Sequence, residues 1–232
     1  MEEKKYTYED LVEIIHKLRS PGGCPWDREQ THASLKNCMV EEAYEVVDGI
    51  RILEETGKGD NLCEELGDVL MQVLLHSEIA REEGLFSLED VVDGISRKMI
   101  YRHPHVFGQV QAETSDQVLQ NWDKLKEKEK GDRTPEEEIA AVPHSLPALI
   151  RTAKVLKKLE RYYDAFQNTA DSRAEAEDAL TQVMQEEDPQ KRQAAAGEVL
   201  LQLVNLFRLL DINSEEALTE TLEKLLKTYE IP

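Results

Sequence analysis

Apolar residues recur three and four positions apart along most of the chain: Leu11, Ile14, Ile15 and Leu18; Leu35, Met39, Ala43, Val46, Val47 and Ile50; Leu62, Leu66, Val69, Leu70, Val73 and Leu74. That spacing gathers them on one side of a helix, and the period-two alternation of a half-buried strand is hard to find. The expected fold class is therefore all-α. Residue pairs that cap helix starts stand where the runs begin: Thr7 with Asp10, Asn61 with Glu64, Ser87 with Asp90 and Thr114 with Gln117.

Breaks in the pattern divide the chain. The Pro- and Gly-rich SPGGCPWD at 20–27 predicts an ordered loop in place of helix. TGKGD at 56–60 is short enough to make helices over 35–55 and 61–83 an antiparallel hairpin. HPHVFGQV at 103–110 reads as irregular, ahead of a polar helix over about 115–130 that carries Trp122. GDRTPEEEIAAVP at 131–143 mixes turn formers with an acid run and reads as a linker between a first unit, 1–130, and a second, 144–232. The second unit predicts helices at about 145–163, 172–187, 190–210 and 214–229. Both units place a Gly and an acid before an apolar run, Gly67-Asp68 and Gly197-Glu198, which suggests a degenerate internal repeat.

Charge narrows the function. The 232 residues contain 28 Lys and Arg against 48 Asp and Glu, a formal net charge of −20. No basic stretch offsets it, so a nucleic-acid polymer is not the expected partner. A small polyanion remains admissible if divalent cations invert the local field. Cys24, Cys38 and Cys63 form no CxxC pair and suggest neither a disulfide framework nor a zinc knuckle. The opening MEEKKYTYED lacks an apolar signal region, and no uninterrupted apolar stretch could span a membrane. A cytoplasmic protein without membrane partners is the simplest expectation.

The chemistry concentrates on the predicted hairpin. Its first helix carries Glu41, Glu42 and Glu45, and its second carries Glu64, Glu65 and Asp68. Residues three apart share a helix face, so Glu42 with Glu45, and Glu65 with Asp68, each aim two carboxylates at one point beside the apolar stripe. Four such acids brought together repel, and protonation, basic partners or hard cations relieve that repulsion. Oxygen-only ligands favour magnesium or manganese over zinc. Acids at this spacing also decorate ordinary solvated helices, so an acidic helical scaffold or partner protein is the competing reading. A di-iron carboxylate bundle would need ExxH pairs in addition. Glu13/His16 and Glu29/His32 supply that pattern, but on a polar helix side and just after the Pro/Gly loop.

A cationic pair follows. Lys98 and Arg102 lie one helical turn apart at a helix end, suited to gripping phosphate oxygens or to complementing the helix C-terminus. His103 and His105 read as loop-packing or capping residues, and Trp122 as a packing anchor or a stacking surface for a base.

Taken together, EExxE at 41–45, ExxD at 65–68, CPWDREQTH at 24–32, EELGDVLMQV at 64–73 and RHPHVFG at 102–108 resemble the N-terminal domain of the MazG family of nucleotide pyrophosphohydrolases, over about residues 7–128. The resemblance implies an all-α homodimer that converts NTP or dNTP to NMP and pyrophosphate with magnesium, or manganese in its place. By position it implies Glu42, Glu45, Glu65 and Asp68 as metal ligands, Lys98 and Arg102 as phosphate contacts, and Trp122 near the nucleotide. Glu41, one residue before a ligand, is the candidate general base, either taking a proton from water or orienting it. The second unit departs from the pattern, with AAAGE at 194–198 where a repeat would read EELGD, and Thr228 four residues after Lys224. It is expected to be a non-catalytic MazG-like unit that packs or dimerises.

Overall fold

A computed structural model describes residues 4–131 and 133–229, with the side chains at 123, 124, 127 and 130 excepted. Twelve helices and no strand occur among the described residues. The all-α expectation is met. The helices form two compact units, Met1–Lys128 and Glu129–Pro232.

In the first unit, α1 (Tyr8–Arg19), α3 (His32–Thr56), α4 (Asp60–Glu82) and α5 (Leu88–Arg102) share one core. Ile15, Leu35, Leu74, Leu75 and Ile79 are its buried centre, with Leu11, Val12, Leu18, Cys38, Met71 and Leu88 packed around them. Each fully buried aliphatic side chain here contributes roughly 2 kcal/mol of apolar burial. The core occupies the start of α3 and the later half of α4. It leaves the other end of this hairpin for polar chemistry.

Local signals set the ends of these helices. Thr7 and Ser87 cap α1 and α5 through reciprocal bonds with Asp10 and Asp90. Gly57 ends α3 at φ 72°, a left-handed value that a glycine adopts without side-chain strain, and its N–H donates to Leu53 O at 2.8 Å. The predicted cap at Asn61 is not used as such: α4 begins at Asp60 after Gly59, and Asn61 turns its amide to Glu65. The loop at 20–27 also differs from expectation, because Pro25 at a first helical position starts a short helix, α2 (Pro25–Glu29). Its placement depends on Arg19, a buried side chain that pairs with Glu82 at 2.7 Å and donates to the carbonyls of Asp27 and Gln30. Beyond α5 come α6 (Pro104–Phe107), a single turn within the stretch read as irregular, and α7 (Ser115–Lys130).

The second unit holds α8 (Pro135–Ala140), α9 (Ala148–Tyr163), α10 (Thr169–Gln185), α11 (Pro189–Leu209) and α12 (Ser214–Thr228). α8 falls inside the stretch read as a linker; Thr134 caps it with Glu137 behind Pro135, and its buried Glu138 pairs with Lys158 at 2.8 Å. α10 and α11 pack against each other as a second hairpin. Their seam is tied by Asn205, fully buried, which donates to Ser172 Oγ at 2.6 Å and accepts from Arg208 Nη2 at 2.8 Å. Arg208 also pairs with Glu160 and donates to Phe166 O, so this buried polar group is fully satisfied.

Candidate active site

The hairpin brings three of the four expected acids together, with Asp68 outside the trio. One carboxylate oxygen from each of Glu42, Glu45 and Glu65 lies within 4.8 Å of the other two. Asp68, one turn beyond Glu65, is half-buried and close enough for its charge to act on Glu42. Glu41, the residue before Glu42, is exposed. Two features of α3 and α4 create this convergence. Gly49 is buried where α3 meets the first turn of α4, and a Cβ there would stand 2.9 Å from Leu62 Cα. Asn61 then donates from Nδ2 to Glu65 Oε1 at 2.8 Å and holds that carboxylate.

Electrostatics record the crowding. Desolvation, a hydrogen bond with the Glu45 carboxyl and the charges of Asp68, Glu45 and Glu65 push the Glu42 carboxyl above the usual carboxylate range. Glu65 is also raised, by desolvation first and then by the Glu45 charge, against the opposing pull of the Asn61 hydrogen bond. A group of carboxylates that resists ionising is one that a cation would relieve. The donor set is all oxygen, as magnesium requires. Glu42, Glu45 and Glu65 would hold such an ion through one carboxylate oxygen each, and it would neutralise the charge they share.

Arg102 sits half-buried at the end of α5 with its guanidinium 5.5 Å from the Trp122 ring centroid. His103 packs edge-on against the same ring at 4.8 Å, and its Nδ1 donates to Met99 O at 2.6 Å, which makes it a packing and capping residue. Lys98 is exposed one turn earlier. Arg102 and Trp122 thus pack together at the end of α5, one turn after Lys98.

The ExxH histidines belong to neither the acid trio nor the Arg102–Trp122 pair. His16 Nδ1 lies 2.7 Å from Glu78 Oε1, and His32 stacks on His76 with their Nδ1 atoms 2.7 Å apart. Glu42, Glu45 and Glu65 are the metal-competent group found among the described residues, which leaves the di-iron arrangement without a histidine.

Residues 30–107 match the MazG nucleotide pyrophosphohydrolase domain. Over 229 residues the chain is 35% identical to the nucleoside triphosphate pyrophosphohydrolase/pyrophosphatase MazG of Thermotoga maritima, covering 99% of this chain and 86% of that protein. The chain belongs to the MazG family. It is also 35% identical over 225 residues to the nucleoside triphosphate pyrophosphohydrolase of Escherichia coli K12, covering 94% of this chain and 84% of the other. With the uncharacterized protein YabN of Bacillus subtilis it shares 40% identity over 237 residues, and it spans 47% of that protein's length. The matched MazG region contains Glu41, Glu42, Glu45, Glu65, Asp68, Lys98 and Arg102, whereas Trp122 lies beyond it.

Two of the residues that shape the site, Gly49 and Asn61, escaped sequence reasoning. A glycine within a run of good helix formers was the available signal for the first. Nothing local distinguished the second from an ordinary cap.

Proposed function

We propose that this chain hydrolyses nucleoside and deoxynucleoside triphosphates to the monophosphate and pyrophosphate, with magnesium held by Glu42, Glu45, Glu65 and Asp68, and so clears unwanted nucleotides from the cytoplasm. The observation that carries this reading is the convergence of Glu42, Glu45 and Glu65 within 4.8 Å, inside the region that matches the pyrophosphohydrolase domain. The names of the Thermotoga maritima and Escherichia coli relatives support the same reaction. No described helix is long and apolar enough to cross a membrane.

Bound magnesium, or manganese in its place, offsets phosphate charge and makes a coordinated water more acidic. The chain's own residues do the rest. Glu41, exposed and one residue before Glu42, takes the proton of the water that attacks the α-phosphorus. The bond to the β-phosphate's bridging oxygen breaks and pyrophosphate leaves. Lys98 and Arg102 hold phosphate oxygens, the guanidinium as a planar fork and the ammonium as a point charge. Trp122 offers its ring near the base. The Arg102 guanidinium against that ring keeps the phosphate grip and the base platform in register.

The working form in this proposal is a homodimer. Val40, Tyr44 and Val47 are exposed at helical spacing on α3, with Leu66 and Leu70 on α4 and Val92 and Ile95 on α5. Those on α3 and α4 stand beside the acids in sequence, and a second copy would cover these apolar faces. Product analysis tests the reaction: pyrophosphate and monophosphate in equal amounts from NTP and dNTP with magnesium support it. Orthophosphate and diphosphate as products, or no turnover, refute it.

A further inference from the structure

We propose that Asn61 is a positioning residue that presents Glu65 to the metal, held in place because Gly49 lacks a side chain. This rests on the metal-site reading above. Asn61 lies on the first turn of α4 and is half-buried. Its Nδ2 donates to Glu65 Oε1 at 2.8 Å, a charge-assisted bond that turns the carboxylate and leaves Oε2 for an ion. On its other side the amide is wedged against α3: a Cβ on Gly49 would lie 3.1 Å from Asn61 Oδ1 and 2.9 Å from Leu62 Cα. The absent side chain therefore lets the two helices close on the amide, and the amide fixes the carboxylate. This is the relation that outer-shell partners bear to metal ligands.

The second unit supplies an independent observation. Matching Gly67 to Gly197 puts Lys191 at the place of Asn61, Ala195 at Glu65 and Glu198 at Asp68. Matching the α3 and α10 caps, Thr31 and Asn168, sets buried Leu35 on buried Ser172, and puts Ala179 at Glu42, Gln182 at Glu45 and Glu186 at Gly49. Gln182, Glu186, Lys191, Ala195 and Glu198 all line an open cavity of about 570 Å³. The second hairpin thus has open space at the place of the acid group. There the ligand Glu65, its partner Asn61 and the enabling Gly49 are all replaced together, as expected if the three serve one task. A residue kept for the helix start alone would not depend on the presence of the ligand.

The test is Mn²⁺ binding to the nucleotide-free protein by calorimetry, in wild type, Glu65→Gln, Asn61→Leu and Asn61→Ala, with unfolding in EDTA measured beside it. Both Asn61 variants lose the donor but differ in size, so a packing defect peculiar to one is separated from the loss common to both. The expected result is Mn²⁺ affinity weakened about 10- to 100-fold in both, with EDTA stability close to wild type in at least one. Unchanged Mn²⁺ affinity in the Asn61 variants, with binding lost in Glu65→Gln, overturns the role of Asn61 and leaves the metal site standing. Unfolding of both variants in EDTA assigns Asn61 to the fold and also overturns it. Wild type that binds no Mn²⁺, or Glu65→Gln that binds it normally, overturns the metal site and this inference with it.

Discussion

Gly49→Ala is the sharpest small perturbation of the hairpin. The added methyl carbon would lie 2.9 Å from Leu62 Cα, a backbone atom that cannot swing aside, whereas ordinary contact begins at 3.4 Å. The two helices must therefore part by 0.5 Å, the difference of those distances. Overpacking of this kind costs about 1–3 kcal/mol, while replacing a helical glycine by alanine returns about 1 kcal/mol. The net expectation is a loss of about 0–2 kcal/mol in urea unfolding with EDTA present. The metal response should suffer more, because a shift of about 0.5 Å is the limit that a ligand constellation tolerates. Mn²⁺ affinity should fall by about 10-fold or more. Gly94→Ala on α5 is the control, since nothing lies within 4 Å of its Cβ position; it should gain up to about 1 kcal/mol and leave ion binding alone. If Gly49→Ala behaves like that control, α3 and α4 do not approach as described and the account of the site's geometry fails.

Other consequences follow from charge. Folding raises the carboxyl pKa of Glu42 and Glu65, so the ion-free protein holds protons more tightly than the unfolded chain. This contribution is present below the ordinary carboxylate value and lost as pH rises through the raised values, so in EDTA stability should fall as pH rises above that ordinary value and magnesium should restore it. Glu42→Gln should flatten both responses in thermal unfolding; a wild-type protein indifferent to magnesium at pH 8 would contradict this. Glu78 behaves oppositely, held at about 2 by hydrogen bonds from Arg81 and His16. Its stabilisation is complete above about pH 4.5 and lost as pH falls toward 2. At about 1.36 kcal/mol per pH unit the ceiling is about 3.4 kcal/mol, and screening at the exposed Arg81 reduces it to about 1–2 kcal/mol. Glu78→Gln should lose that amount at pH 7 and show a shallower acid transition in urea titrations. Equal acid sensitivity in the two proteins would remove Glu78 from the explanation. Arg19→Met should cost about 1–3 kcal/mol by leaving two loop carbonyls and the exposed Glu82 without their partner, and limited proteolysis should then cut near Trp26. A protein as stable and resistant as wild type would show that Arg19 does not anchor the loop.

Much of this was legible in the sequence because it is local. Helical periodicity gives the hairpin, TGKGD its turn, and three-residue spacing places Glu42 with Glu45 on one face and Glu65 with Asp68 on another. What escaped prediction depends on encounters between distant segments. Asn61 matches a cap pattern as well as it matches its actual role, and only the approach of α3 at Gly49 decides between them. The anchoring of α2 needs Arg19 and Glu82, separated by most of the unit. In the second unit, AAAGE at 194–198 already departs from EELGD, whereas the open cavity and the Asn205–Arg208–Glu160 network appear only once α9, α10 and α11 are assembled. The stretch at 131–143 was read from its turn formers as a linker, although Thr134, Pro135 and Glu137 also spell a helix start and α8 forms there.

Chemistry at the acids of the α3–α4 hairpin, with none at Glu198 on α11, is what the proposed reaction requires. Pyrophosphate release from a panel of NTPs and dNTPs with magnesium, compared across wild type, Glu42→Gln and Glu198→Gln, tests it most directly. Turnover lost in Glu42→Gln and retained in Glu198→Gln is the predicted result; equal loss in both, or full activity in Glu42→Gln, would contradict it.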